Sequence, residues 1–141
     1  MKTKARYVWI TIVVILMIAG VYAYREYNRK PSDLSYMAPR LRTTADSLVA
    51  LFENDEPKAN SIYLGKPVDV MGIIAEITNQ KDTVVNVVLG KKDDMHRVSC
   101  LMNIQHIDNI KAFNAGDEIT LRGICNGYLM DVELNRCVVI K

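Results

Sequence analysis

The chain changes its hydrophobic rhythm as it proceeds. Residues 7–24, YVWITIVVILMIAGVYAY, are uninterrupted by charge. A helix rising ~1.5 Å per residue would carry them across most of a ~30 Å hydrocarbon layer. Lys2, Lys4 and Arg6 precede the run, and Arg25, Arg29 and Lys30 follow it. Tyr7, Trp9, Tyr22 and Tyr24 stand where amphipathic rings settle at a headgroup boundary. The pattern predicts a membrane-spanning signal anchor over 7–24, with 1–6 in the cytoplasm. A cleaved leader cut at Val21-Tyr22-Ala23 is the alternative. The run is longer than a leader's core, however, and bulky Tyr22 and Tyr24 surround that cut. No Cys follows the run to take a lipid. Glu26 offsets one basic residue on the C-terminal flank, so the positive-inside rule places the remainder on the outer, periplasmic or extracytoplasmic side.

Residues 25–41 are polar, carry Pro31 and Pro39, and read as a juxtamembrane linker. From residue 42 to 141 the rhythm is that of a folded domain. In TTADSLVALFENDE, Ala45, Leu48, Val49 and Phe52 recur at helical spacing, with Thr43 or Thr44 as cap. Pro57 suits the first turn of a second short helix that Gly65 closes. After Lys66 the period falls to two. PVDVMGIIAEI reads as a long strand bent at Gly72, TVVNVVL as a second and RVSCLM as a third. Ile104, Ile107, Ile110 and Phe113 then mark a short helix that Gly116 stops. EITLRGIC is a fourth strand, NGYLM a turn, and DVELNRCVVI a fifth strand whose phase slips near Asn135-Arg136, as a bulge would cause. Ile74, Val87, Val98, Leu121 and Leu134 are the expected core, and Lys91, Lys92 and Asp93 the expected surface. The order β-β-β-α-β-β predicts a mainly β fold, a five-stranded OB-type Greek-key barrel preceded by an amphipathic helix.

Charge narrows the partners. The net charge is +2, yet residues 1–30 hold six Lys or Arg against one acid, while 31–141 hold twelve against fifteen acids. The basic character belongs to the membrane flanks, and the domain lacks the positive field that phosphate binding needs.

The segments FENDEPKANSIYLGKPVDVMGIIAEI, RVSCLM and AGDEITLRGICNGYLMDVELNRCVVI resemble the tRNA_anti-like family of OB-fold domains. The resemblance covers roughly residues 44–141. It rests on Asp55-Glu56, Ala59-Asn60, Tyr63 and Gly65-Lys66 before the first strand, on Gly123-Ile124-Cys125 with Gly127, and on Asn135 with Cys137. It implies an OB fold and a setting among bacterial membrane-anchored chains and lipoproteins. It implies no catalytic residue, since the family name records likeness to anticodon-binding domains rather than an activity.

Candidate chemistry is sparse. Lys81, Lys91, Lys92 and Arg97 form a loop patch, the weak candidates for binding, but Asp82, Asp93 and Asp94 largely neutralise it. The second strand offers neither a ring nor a base for stacking on nucleic acid. His96 and His106 lack a neighbouring Cys or carboxylate at ligand spacing, so no metal is expected. No nucleophile elbow, phosphate loop or dinucleotide turn is present, so neither a cofactor nor an enzyme is expected. Cys100, Cys125 and Cys137 fall on the apolar phases of their strands. On the outer side of a membrane Cys137 can pair with Cys125 or Cys100, with Cys125–Cys137 as the candidate disulfide and three buried thiols as the alternative. The expected function is a membrane-tethered OB-fold binding module for a protein, small molecule or glycan; a single-stranded nucleic-acid-binding OB domain is the alternative.

Overall fold

The computed structural model describes residues 2–28, 34, 41–80 and 84–140. The chain divides into two units, Met1–Ser32 and Asp33–Lys141. The first holds one helix, α1 (Lys2–Tyr27). Residues 7–24 are thus helical throughout. Among the described residues, no helix is long and apolar enough to cross a membrane, and the described side chains of α1 run unbroken only over 12–27.

In the second unit the first strand among the described residues is β1 (Leu41–Thr44), at the junction of the expected linker and domain. Helix α2 (Ala45–Asn54) follows at once, and Thr44 caps it by accepting from the Ser47 N–H at 3.3 Å. The buried stripe Ala45, Leu48, Val49 and Phe52 is the one the helical spacing predicts. Asp55 then caps α3 (Glu56–Tyr63), accepting from the Lys58 N–H at 3.1 Å, with Pro57 in the first turn where its missing N–H costs nothing. Gly65, at φ 72°, ends the helix, and Lys66 Nζ donates to the terminal carbonyls of Ser61 and Ile62 at 2.8 and 2.7 Å.

Five strands close the barrel: β2 (Pro67–Gln80), β3 (Val84–Leu89), β4 (Val98–Met102), β5 (Glu118–Tyr128) and β6 (Val132–Ile140). Neighbours run β1-β2-β3-β4-β6-β5, and a β2–β5 pairing completes the ring. One half of β2, through Ile73, pairs with β5, and the other half, from Ile74, pairs with β3. The bend between them is why residue 72 is a glycine: a Cβ there would stand 3.0 Å from Ala45 Cβ and 3.2 Å from Leu89 Cβ. The slip expected near Asn135-Arg136 is a bulge. Ile124 pairs with Asn135 while Arg122 pairs with Val138, and Arg136 takes φ 58°. Ile74, Val87, Val98, Leu121 and Leu134 are each 1% exposed or less. Lys91, Lys92 and Asp93 are exposed.

Two local expectations change. The helix after β4 is a 3-10 helix, Ile104–Ala112, in which only Ile110 is buried and Ile104 is 62% exposed. The three-residue spacing of the apolar stripe fits three residues per turn better than 3.6. The NGYLM turn is also shorter than expected. A register shift between Cys125 and Gly127, with Gly127 at φ 119°, absorbs the irregularity and lets β5 run on to Tyr128.

Candidate binding site

The outer face of β3, β4 and β6 carries a groove of about 510 Å³ lined by Thr78, Asn86, Ser99, Leu101, Glu133, Leu134 and Asn135. Alternation dictates this composition: Val87, Val98, Cys100 and Leu134 turn into the barrel, so the intervening residues turn out. Asn86 Nδ2 donates to Ser99 Oγ at 3.0 Å, and the hydroxyl donates back to Asn86 Oδ1 at 3.1 Å. The lining holds amides, hydroxyls, one carboxylate and leucine. Among the described residues it holds no aromatic ring and no Lys or Arg.

A second cavity, about 310 Å³, lies between α2 and the β3–β4 loop. On α2, Asp46, Val49, Ala50 and Glu53 share the face that borders it, as their i, i+3, i+4, i+7 spacing requires. The loop contributes Gly90, Lys91, Asp94, Met95, His96 and Arg97. This loop is fastened to the β5–β6 turn. The Arg97 N–H donates to Asp131 Oδ1 at 2.8 Å, and His96 Nδ1 lies 2.6 Å from the Met130 carbonyl oxygen. A carbonyl only accepts, so Nδ1 carries the proton. His96 Nε2 then stands 3.7 Å from Glu53 Oε1. The Tyr128 ring supports the site, stacked on Phe52 at 5.9 Å and edge-on to His96 at 5.8 Å. Burial, then the Glu53 and Asp131 carboxylates, push the Tyr128 hydroxyl above its ordinary value.

On a third face, Asp69 and Arg122 are register partners across β2 and β5. Arg122 Nε donates to Asp69 Oδ1 at 2.5 Å and Nη2 to Oδ2 at 2.9 Å, while Nη1 reaches the carbonyl of buried Leu34 at 3.3 Å. The Asp69 carboxylate holds the Arg122 guanidinium above its ordinary value, against the opposing effect of burial. The pair is 4–5% exposed.

Of the sequence-predicted residues, Lys91 and Arg97 come together in the α2 cleft, Lys92 lies exposed beside them, and Lys81 falls outside the described residues. Asp94 Oδ2 accepts from the Lys91 N–H at 3.1 Å, so the acid shapes the loop as well as neutralising it. Cys100, Cys125 and Cys137 are buried and free. Burial raises the Cys125 thiol. Burial and then the neighbouring Cys100 raise Cys137 well above its ordinary value, and Cys137 Sγ donates to the Leu134 carbonyl at 3.4 Å. Among the described residues no cluster of His, Cys, Asp and Glu could hold a metal. Sequence reasoning missed Asp46 and Glu53 as site residues. Their shared helical face was the available signal.

A family model, tRNA_anti-like, matches residues 1–139. Among solved structures, a Klebsiella pneumoniae protein described as a "putative nucleic acid-binding lipoprotein" is 20% identical with a TM-score of 0.60, over 79% of this chain and 100% of its own. That likeness is one of fold. The asparaginyl-tRNA synthetase of Entamoeba histolytica is 18% identical with a TM-score of 0.42, over 54% of this chain and 21% of its own. A "putative aspartyl-tRNA synthetase" of Leishmania major is 11% identical with a TM-score of 0.48, over 87% of this chain and 26% of its own. Among curated proteins none matches.

Proposed function

Because the chain belongs to the tRNA_anti-like family, we propose that it is a membrane-tethered OB-fold binding module, without catalytic chemistry, whose ligand is an uncharged polar molecule of glycan type laid across β3, β4 and β6. The observation that carries this reading is the lining of the strand-face groove. Asn86, Ser99, Asn135 and Thr78 offer paired donors and acceptors, and Leu101 offers one apolar contact. Such a surface hydrogen-bonds hydroxyls. Single strands need stacking rings and a basic track, and Glu133 on this face repels phosphate. OB barrels use this face for oligosaccharides as well as oligonucleotides.

The tether is the uncharged run 7–24, which α1 contains. With it the domain stands on the outer side of the membrane. A reporter active only outside the cytoplasm, fused after Lys141, gives signal if this is so; a silent fusion that is nonetheless expressed refutes the orientation.

The test of the ligand is an NMR titration of the full chain in nanodiscs with neutral oligosaccharides and, separately, with oligonucleotides. Saccharides should shift Asn86, Ser99 and Asn135, with little dependence on salt. The second reading, a single-strand binder, is favoured by the description of the Klebsiella neighbour. It requires oligonucleotide binding that weakens steeply with salt, and that result on the same face would replace the glycan reading.

A further inference from the structure

The cleft between α2 and the β3–β4 loop is chemically unlike the strand-face groove. Its Arg97 Nε is buried and has no hydrogen-bond partner. Leaving a donor of a charged group unmatched is costly, and such groups are usually satisfied by protein, water or ligand. The guanidinium is held in place from below. Gly90 sits at φ 136°, and a Cβ there would meet Arg97 Cγ at 3.2 Å, so the glycine lets the arginine stem lie flat on the backbone. Lys91 adds a second cation to the same cavity, while Asp46, Glu53 and Asp94 supply acids. Asp94 is engaged with the loop backbone. Asp46 and Glu53 lie on the opposite wall, on α2, where Glu53 Oε1 also stands 3.7 Å from His96 Nε2.

These charges select a ligand. A simple anion would meet Arg97 and Lys91 but also two facing carboxylates. A simple cation would meet the carboxylates but also two cations. Only a molecule carrying both charges matches both walls. The volume, about 310 Å³, is at the small end of ligand pockets. Ala45, Val49 and Leu89 give it an apolar lining, and the flexible thioether of Met95, 88% exposed, stands at its margin. We infer that this cleft is a second ligand site, separate from the strand-face groove, and that it binds a free amino acid with an apolar side chain. The carboxylate is received by Arg97 with Lys91, and the ammonium by Asp46 and Glu53. Arg97 recognises the carboxylate through a planar fork that lysine cannot reproduce.

The experiment is isothermal titration of the full chain in nanodiscs with leucine, isoleucine, valine and methionine. N-acetyl-leucine, which lacks the ammonium, and leucinamide, which lacks the carboxylate, serve as single-charge probes. At least one free amino acid should bind saturably, and the matching single-charge probes about tenfold more weakly, the loss of one charge-assisted contact. Arg97→Met keeps the stem over Gly90 and should lower amino-acid affinity about tenfold, to the level of the amide. Glu53→Gln should bring the amino acid toward the N-acetyl compound. Arg97→Lys, which keeps the charge, should fall between wild type and Arg97→Met. An unchanged melting temperature in each variant separates lost recognition from lost folding. The proposal is overturned if no free amino acid binds below about 10 mM, if a single-charge probe binds as well as its parent, or if folded Arg97→Met binds like wild type. Oligosaccharide shifts on Asn86 and Ser99 should be unaffected by Arg97→Met, so the two sites stand or fall separately.

Discussion

Arg122 and Arg97 both project from strands or strand ends of one small barrel, yet Arg122 is bound to Asp69 through two nitrogens and is 5% exposed, whereas Arg97 has a buried Nε with no partner beside an open cleft. The first is consumed by structure. Its carboxylate partner, two matched hydrogen bonds and the Leu34 carbonyl leave little for a ligand to gain. The second has a desolvated donor and empty space next to it. Charge alone does not separate them; what separates them is whether the protein has already satisfied the group.

The largest effect is expected at the buried pair. Asp69→Ala removes the buried carboxylate that two Arg122 nitrogens share, and should cost about 3–5 kcal/mol, read as a lower urea midpoint of the full chain in detergent. The double change Asp69→Leu with Arg122→Met removes both charges and should recover most of that loss. If Asp69→Ala cost less than about 1 kcal/mol, the pair would be solvated and no different in kind from the open cleft.

Most of the barrel is legible in the sequence. Period-two alternation placed Val87, Val98, Leu121 and Leu134 inside, and the helical stripe of α2 put Leu48 and Phe52 against them. The bend at Gly72 and the slip at Asn135-Arg136 were also readable, because each interrupts a pattern. Strand β1 was not, since four residues, LRTT, are too few to establish alternation. Nor was the Asp69–Arg122 pair. Alternation told that Arg122 points away from the core on which Leu121 closes, but not that Asp69, 53 residues away, lies opposite. The cleft was half visible: Arg97 and Lys91 stood out by charge, while their counter-charges on α2 became meaningful only once helix and loop were packed together.

A smaller effect probes the interior beside the sealed face. A Cβ at residue 123 would lie 2.5 Å from Cys137 Sγ and 3.3 Å from the Asn135 carbonyl oxygen. Gly123→Ala therefore forces β5 and β6 apart and should cost about 1–3 kcal/mol by overpacking. Gly90→Ala, on the cleft side, meets only the flexible Arg97 stem sterically, but at φ 136° any L side chain strains the backbone, so its midpoint should fall through strain rather than overpacking.

The same interior sets a pH response. Burial raises the thiols of Cys125 and Cys137 above the 9.0 of an ordinary thiol. Above pH 9.0 the unfolded chain releases protons that the folded chain keeps, so the unfolded state is favoured. This contribution to stability is fully present below pH 9.0 and is lost as the pH rises through the folded values. Urea midpoints taken at rising alkaline pH should decline, and Cys137→Ala should decline less steeply from its own starting value. Equal slopes in the two proteins would mean that Cys137 is not sealed from solvent.

The smallest effect is expected at an exposed contact, that of Glu53 with His96. Glu53 and His96 approach to 3.7 Å, but their side chains are 41% and 33% exposed. An exposed pair is screened and must immobilise two side chains, so it contributes about 0–1 kcal/mol. His96 is held independently of Glu53 through Nδ1 and the Met130 carbonyl, so losing the carboxylate should not release the loop. Glu53→Gln, which keeps the shape and removes the charge, should accordingly leave the urea midpoint nearly unchanged, in contrast to Asp69→Ala. A loss above about 2 kcal/mol, beyond what such a pair supplies, would mean that Glu53 braces the β3–β4 loop. The α2 carboxylates would then be structural, as Asp69 is, and the contrast between a satisfied arginine and a receptive one would fail.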